Sequence, residues 1–227
     1  MYTLHIANKN YSSWSLRPWV LMRELSIPFE EKMHVFKGGA NWDSFRVFSS
    51  SGTVPCLWDG DRRIWDSLAI TEYLAEKHPV VWPDDAGARA WARSACAEMH
   101  SGFGTLRSVC SMNCGVRMAL DSVSPALQKD VRRIDELWCD GLESFGGPFL
   151  AGKQFTAADA FYTPVAFRIQ TYQLALSDNA MAYARRLLAL PAMVDWYKKA
   201  LSEPWRDDSH EEEILLYGQV TEDLRQI

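Results

Sequence analysis

Apolar and polar residues follow two different patterns along the chain, and the first pattern mixes strands with helices. Residues 2–7 alternate and are rich in β-formers, which predicts a strand. The apolar positions from Leu16 to Leu25 have helical spacing. Residues 29–36 predict a second strand, which Gly38-Gly39 ends, and residues 41–48 predict a short helix. The chain is therefore expected to begin with a β-α-β unit followed by an irregular stretch.

A hairpin and a helix complete this first part of the chain. Residues 54–58 and 63–65 predict two strands, and Asp59-Gly60-Asp61 between them is a turn signal. Asp66-Ser67 then opens a helix. The order βαβ followed by ββα predicts a small α/β domain over residues 1–78.

Beyond a linker over residues 79–86, the pattern is helical throughout. Apolar residues recur every three or four positions from Trp91 to Cys110, which predicts one long helix. Four further helices are predicted, over residues 127–145, 156–172, 180–190 and 192–201. The fold class expected is an α/β domain followed by an all-α domain over residues 87–227.

Composition narrows the class of protein without naming a function. The chain has 227 residues with 48% apolar and 23% charged, values of a globular protein. Its net charge of −5 disfavours a nucleic-acid partner. No apolar run approaches the roughly 18 residues of a membrane span, and the first residues lack a basic segment followed by an apolar one. Five scattered cysteines fit reduced thiols, so we expect a cytoplasmic protein.

Three serines lie around the start of the first predicted helix, in the segment Tyr11-Ser12-Ser13-Trp14-Ser15-Leu16-Arg17. A hydroxyl there would lie beside free N–H groups and the positive end of the helix dipole, where an anion is favoured. The alternative is that the serines only cap the helix, with Pro18 in its first turn, where a missing N–H costs little.

Two further segments could hold a ligand. In Gly52-Thr53-Val54-Pro55-Cys56-Leu57, a proline at the start of a strand can leave the preceding backbone groups free for a ligand; the alternative is an ordinary edge-strand proline. In Trp65-Asp66-Ser67, an acid and a hydroxyl open a helix, where they suit an ammonium and a carboxylate; the alternative is a helix cap.

Thr156-Ala157-Ala158-Asp159 has the form of a capping box and is interpreted as structural. The sequence holds no CxxC, no GxGxxG, no GxxxxGK[ST] and no HExxH, and the serines do not form a GxSxG elbow. A dithiol redox centre, a nucleotide site and a metal site are therefore not predicted.

Taken together and in this order, these segments resemble the cytosolic glutathione transferase superfamily over essentially the whole chain. The segment over residues 52–57 resembles the turn before that family's cis-proline. Residues 66–74 resemble its acid–Ser helix motif, and residues 155–159 its capping box. The resemblance implies a thioredoxin-like glutathione-binding domain followed by the helical domain of that family.

Within the superfamily, residues 12–17 are most similar to the zeta-class Ser-Ser-Cys-x-x-Arg segment. Trp14 stands where zeta enzymes carry Cys, and Ser50-Ser51 replaces the commoner Asn-Pro before Gly52. The resemblance places the thiol-activating hydroxyl at Ser12, with Ser13 and Ser15 as alternative donors.

The resemblance also implies where glutathione and a small electrophile bind. Glutathione as co-substrate would contact Ser13, Lys37, Val54, Pro55, Asp66 and Ser67. The electrophile pocket would be formed by His100, Phe103, Arg107 and Met112. The resemblance and the ten tryptophans together predict a homodimer.

Three activities stay open from the sequence. One is transfer of glutathione to a small electrophile. Another is a glutathione-dependent cis–trans isomerisation or dehalogenation, in which the thiolate adds and is later expelled. The third is a ligand carrier that keeps the fold without turnover.

Overall fold

The computed structural model describes residues 1–38 and 41–226. Gly39, in the predicted strand break, and Ile227, at the predicted end of the second domain, lie outside the described residues. The sheet consists of β1 (Tyr2–Ala7), β2 (Phe29–His34), β3 (Cys56–Asp59) and β4 (Arg62–Ile64). Its order is β2-β1-β3-β4, with β2 parallel to β1 and the β1–β3 and β3–β4 pairs antiparallel. These strands start and end within two residues of the predicted ones.

In the described part of this first region, the helices are α1 (Ser13–Glu24), α2 (Trp42–Arg46) and α3 (Ser67–Ala75). α1 lies between β1 and β2 in the chain. Two parallel neighbouring strands need a crossover connection of this kind, which is usually a helix. The expectation that Pro18 falls in the first turn is wrong, because α1 already begins at Ser13 and Pro18 lies inside it. Without an N–H, Pro18 cannot donate to the carbonyl of Trp14 four residues earlier.

The second region is mainly helical, after a single 3-10 turn over Pro79–Val81. Its helices are α4 (Ala86–Ser101), α5 (Gly104–Val109), α6 (Pro125–Phe145), α7 (Ala157–Tyr172), α8 (Asp178–Leu188), α9 (Pro191–Leu201) and α10 (Asp208–Leu215). The four helices predicted after residue 120 are confirmed as α6 to α9, within two residues at each end.

The single long helix predicted from Trp91 to Cys110 is wrong. Phe103 adopts a left-handed conformation, with φ of 55°, and separates α4 from α5. A left-handed residue cannot continue a right-handed helix. The break ends α4 at Ser101 and α5 begins at Gly104, although the apolar spacing continues across it.

A second, two-stranded sheet was not predicted. β5 (Val116–Leu120) pairs antiparallel with β6 (Gly218–Asp223), with an irregularity between Arg117 and Met118. Together with α10, these strands return the last part of the chain to the segment around Asn10, where the Tyr11 hydroxyl donates to Glu211 of α10 at 2.6 Å. The backbone N–H of Cys114, just before β5, donates to the Asn10 carbonyl at 3.1 Å.

α7 is the central helix of the molecule. Fifteen of its sixteen residues are buried, and it packs against α1, α4 and α8. One apolar core runs from Leu4 in β1 through α1 and α7 to Trp196 in α9. Because α1 and α7 are in direct contact, side chains from both face the same interior space.

Among the described residues, no helix is both long enough and apolar enough to cross a membrane. The same residues contain no cluster of three or more His, Cys, Asp or Glu side chains suited to a metal ion.

Candidate functional site

A cavity of about 520 Å³ opens between the sheet region and the helical region. Residues 11–14 at the start of α1 form one wall, and residues 52–54 before β3 form another. The opposite side is formed by the helical region, chiefly by Arg107, Met112 and Arg168. The cavity therefore brings together two of the three segments that the sequence analysis selected.

Ser12 and Ser13 line this cavity, whereas Ser15 does not. Ser12 is the N-cap residue of α1, but its side chain caps no backbone N–H; its hydroxyl instead donates to Oγ of Ser15 at 2.7 Å. Ser15 is fully buried inside the helix and accepts from the N–H of Ala7 at 3.2 Å. The interpretation of these serines as helix caps is therefore wrong, and the positive end of the α1 dipole faces the cavity without a side-chain cap.

Val54 lines the cavity directly before a cis peptide bond to Pro55, as the resemblance implied. Gly52 in the same turn has φ of 64°, a conformation that favours glycine, and a Cβ there would overlap the Trp42 ring. Lys37 follows Phe36, another lining residue, but the Lys37 side chain is exposed and is not part of the cavity wall.

Asp66 and Ser67 lie at the N-terminus of α3 and do not line the cavity. Asp66 is the N-cap, since its carboxylate accepts from the N–H of Leu68 at 2.8 Å and of Ala69 at 3.3 Å. The second Asp66 oxygen lies 3.2 Å from Nε2 of His100. The hydroxyl of Ser67 is fully buried and has no hydrogen-bond partner among the described residues. Such a hydroxyl is unusual in a folded protein and suits a ligand acceptor.

Of the four residues expected around the electrophile, the structure places two at the cavity and two away from it. Arg107 and Met112 line the cavity, whereas His100 and Phe103 do not. His100 lies behind Trp14, with the two ring centres 5.3 Å apart. Phe103 is buried at the break between α4 and α5.

Arg107 and Arg168 line the helical side of the cavity, and Arg17 of α1 lies near both, so the three form an arginine cluster. Arg17 is 1% exposed, and its Nε and Nη1 atoms have no partner among the described residues. Its guanidinium lies 4.1 Å from the centre of the Trp14 ring, over which Arg107 also lies, at 5.3 Å. Burial, together with the positive charges of Arg168 and Arg107, lowers the pKa of Arg17 to about 9. Burial also lowers the pKa of Arg168, to about 10.

The last part of the chain supplies residues that the sequence analysis missed. His210 and Glu213 from α10 line the cavity. The His210 ring stacks between Tyr11 and Phe36, at 4.9 Å from each, and its Nδ1 lies 2.6 Å from Asp207. The signal in the sequence that could have indicated this segment was the Asp-x-x-His spacing, which is typical of the start of a helix.

Asp207, at the start of α10, joins this helix to the sheet region. Its carboxylate accepts from the backbone N–H of Gly38 at 2.8 Å and also binds Ser209 and His210. Burial alone would raise the pKa of Asp207, but these hydrogen bonds from Ser209, His210 and Gly38 lower it to about 2. The carboxylate is therefore ionised at neutral pH.

The cysteines are all free, and four of the five are buried. Burial raises the pKa of Cys56 and raises that of Cys110 to about 12. Because the thiolate is the reactive form, neither side chain suits a protein nucleophile.

The capping box lies away from the cavity. The backbone N–H of Thr156 donates to Asp159 at 2.9 Å, and Asp159 also accepts from the N–H of Leu150 and the hydroxyl of Tyr183. Asp159 is fully buried. This geometry is consistent with the structural role that the sequence predicted.

Comparison with known families identifies the class of this fold and site. Residues 11–77 match the glutathione S-transferase N-terminal domain and residues 89–202 match the glutathione S-transferase C-terminal domain. The chain belongs to the glutathione S-transferase family, with a thioredoxin-like region followed by a helical one.

Curated relatives are similar at low identity. The chain is 27% identical over 157 residues to a zeta-class glutathione S-transferase of Euphorbia esula, covering 67% of this chain and 70% of the relative. It is 28% identical over 163 residues to glutathione S-transferase F14 of Arabidopsis thaliana, covering 67% of this chain and 61% of the relative. Both identities are below 30%, so neither relative assigns this chain to a class within the family.

Solved structures share the fold over most of the chain. A glutathione transferase homologue from Burkholderia gl BGR1, crystallised with bound glutathione, superposes with a TM-score of 0.67 at 21% identity and covers 88% of this chain and 97% of its own. A theta-class enzyme from Xanthomonas axonopodis pv. citri with bound glutathione gives a TM-score of 0.62 at 19% identity, covering 89% and 98%.

Proposed function

We propose that this protein binds glutathione and activates its thiol through the Ser12 hydroxyl, for attack on a small electrophile. The observation that carries the proposal is that Ser12 and Ser13 face the same cavity as Val54, at the uncapped N-terminus of α1. A donor, a helix dipole and a free backbone edge at one cavity suit an extended peptide with a thiol.

The proposed activation is energetically modest. A free thiol has a pKa near 8.5, so only a few per cent is thiolate at pH 7. Lowering that pKa by about two units requires roughly 2.7 kcal/mol. A hydroxyl donor and the end of a helix dipole each supply on the order of 1–2 kcal/mol. Ser12 would turn its hydroxyl from Ser15 to the thiolate and keep its own proton.

The remaining parts of glutathione have candidate partners around the thiol position. The backbone of Val54, held by Pro55, would pair with the cysteinyl amide as a short added strand. The buried and unpartnered Ser67 hydroxyl would donate to the γ-glutamyl carboxylate, and Asp66, half exposed, would receive the ammonium. Lys37 would reach the glycyl carboxylate.

The electrophile would occupy the part of the cavity lined by Arg107 and Met112, within reach of a thiolate at Ser12. His100 and Phe103 would then act indirectly, by supporting Trp14 and the start of α5. The chain would consist of a glutathione-binding domain over residues 1–78, a linker over residues 79–86 and a helical domain over residues 87–227. A homodimer and a cytoplasmic location stay predictions.

The test is calorimetric titration with glutathione together with turnover of chlorodinitrobenzene, a general electrophile. The proposal predicts saturable binding and turnover above the uncatalysed rate, with turnover reduced in Ser12→Ala. The matched control is Ser94→Ala, an exposed serine of α4 whose hydroxyl bonds only its own helix. Binding without turnover would support a ligand carrier, and absence of binding would contradict the proposal altogether.

A further inference from the structure

The arginine cluster is the strongest unexplained feature of the cavity. Arg17 and Arg168 are 1% and 3% exposed, and no carboxylate lies within 4 Å of either, or of Arg107, in the described part of the chain. Buried charges in folded proteins are normally paired. Three neighbouring cations without a carboxylate partner among the described residues are costly unless an anion completes the site.

Arg107 and Arg168 each donate a hydrogen bond to a backbone carbonyl of the protein. Nε of Arg168 donates to the carbonyl of Cys110 at 2.7 Å, and Nη1 of Arg107 donates to the carbonyl of His100 at 3.2 Å. Each guanidinium has five N–H donors, so these single contacts leave most of them unused. Both side chains line the cavity, which makes the remaining positive charge accessible to a ligand.

An uncharged group, the hydroxyl of Ser111, also suits an anionic ligand in this cavity. Ser111 lines the cavity between α5 and β5, and its buried hydroxyl has no hydrogen-bond partner among the described residues. A hydroxyl donor beside two guanidinium groups suits the oxygen atoms of a carboxylate, which accepts several hydrogen bonds at once. Among the described residues, Glu213 of α10 is the acidic residue that lines this cavity, and it forms no salt bridge with any of the three arginines.

We propose that the second substrate carries a carboxylate, which Arg107, Arg168 and Ser111 bind in the cavity. The inference rests on the proposed function, because it assigns the thiol of glutathione to the opposite wall, at Ser12. Arg17 lies behind Trp14 and adds positive potential without contacting the ligand. The cavity therefore selects electrophiles by charge as well as by apolar contact.

The experiment compares two glutathione conjugates of equal shape, S-(4-carboxybenzyl)glutathione and its neutral amide, S-(4-carbamoylbenzyl)glutathione. Calorimetry gives the affinity of each for the whole protein, without any need for turnover. The proposal predicts that the acid binds about tenfold or more tightly than the amide, as charge-assisted hydrogen bonds do relative to neutral ones. In Arg168→Gln and in Arg107→Gln, the ratio of the two affinities should fall towards one, while the affinity for the amide stays nearly constant.

Two further variants keep the test decisive. Arg168→Lys retains the charge if Arg168→Gln does not fold, and it should retain part of the preference. Arg117→Gln is the matched control, because Arg117 lies outside the cavity and contacts the Tyr197 hydroxyl at 3.2 Å. It should leave the ratio unchanged.

The outcomes separate this inference from the proposed function. Equal affinity for acid and amide in the unaltered protein would overturn the carboxylate site while leaving glutathione binding intact. A preference for the acid that survives in both Arg107→Gln and Arg168→Gln would also overturn it. If neither conjugate nor glutathione binds, the proposed function itself fails, and the carboxylate site fails with it.

Discussion

Ser12 donates its hydroxyl proton to Oγ of Ser15 at 2.7 Å, and this short contact joins the cavity wall to the interior of α1. Ser15 also accepts from the N–H of Ala7, at the end of β1. The proton that Ser12 would offer to a thiolate is therefore directed inward in this structure. The two serines have separate roles, because Ser12 reaches the cavity and Ser15 holds the loop that presents it.

Replacing Ser15 with Ala should lower stability more than activity. The substitution leaves the buried N–H of Ala7 without a partner, which costs roughly 1–3 kcal/mol. Chemical denaturation would measure the loss in the free energy of unfolding, with Ser94→Ala as the control expected to stay within about 0.5 kcal/mol of the original protein. An unchanged unfolding midpoint would show that Ser15 has no structural role.

Replacing Ser67 with Ala should weaken glutathione binding without lowering stability. Loss of one hydrogen bond to a charged group costs roughly 1.5–3 kcal/mol, or on the order of 10- to 150-fold in affinity. Because the Ser67 hydroxyl has no partner in the protein, its removal breaks no internal contact. Calorimetry and thermal melting of the same sample would check both halves of this expectation.

Thr156→Ala is the converse variant. Its hydroxyl belongs to the capping box of α7, so its removal should lower the free energy of unfolding by about 1 kcal/mol and leave glutathione affinity unchanged. If Thr156→Ala weakened binding and Ser67→Ala only lowered stability, the division between site and scaffold would be reversed.

Asp207 should make stability depend on pH in the acid range. Its pKa in the folded protein, about 2, is below the 3.8 of a free aspartate. The stabilisation is therefore present above pH 3.8 and is lost as the pH falls from about 4 to 2. The shift corresponds to about 2 kcal/mol.

The measurement compares the unaltered protein with Asp207→Asn by denaturation at several pH values. The difference in unfolding free energy between them should be largest near pH 6 and should shrink towards pH 2. A difference that stays constant over this range would mean that the Asp207 charge does not hold α10 in place.

A homodimer is expected in solution. Large apolar side chains are exposed on the first region, with Trp42 at 59% and Trp65 at 43% exposure. Exposed apolar groups of this size are typical of a surface that meets another protein. Light scattering at micromolar concentration should give about 52 kDa, twice the chain mass of 25.9 kDa. A single species at the chain mass would contradict this.

Local signals predicted most of the fold. The strands and helices followed the period of their apolar residues, and the segment before Pro55 and the capping box at Thr156 were both found where the motifs indicated. These features depend on residues close together in sequence, so the sequence contains the information directly.

The missed elements depend on distant contacts. β6 has one buried residue among its six, so it shows no apolar alternation, and it becomes a strand only because it pairs with β5 about a hundred residues earlier. The break at Phe103 has a local signal in Gly102 and Gly104, but the continuous apolar spacing outweighed it.

The candidate site was predicted in part for the same reason. Ser12 and Val54 belong to motifs, and both line the cavity. Arg168 and His210 belong to no motif around the site and reach the cavity only through the packing of α7 and α10. Which side chains meet across the cavity is a property of the tertiary structure.

The central claim is that Ser12 stabilises the thiolate of bound glutathione. The most direct test is ultraviolet titration of the thiolate band in the glutathione complex, in the unaltered protein and in Ser12→Ala, Ser13→Ala and Ser15→Ala. We expect Ser12→Ala to raise the pKa of the bound thiol by one unit or more, or about 1.4 kcal/mol. Glutathione affinity should change little, and turnover should fall at neutral pH and partly recover at high pH. An unchanged thiol pKa in Ser12→Ala would contradict the account, and a raised one in Ser13→Ala alone would assign the role to Ser13.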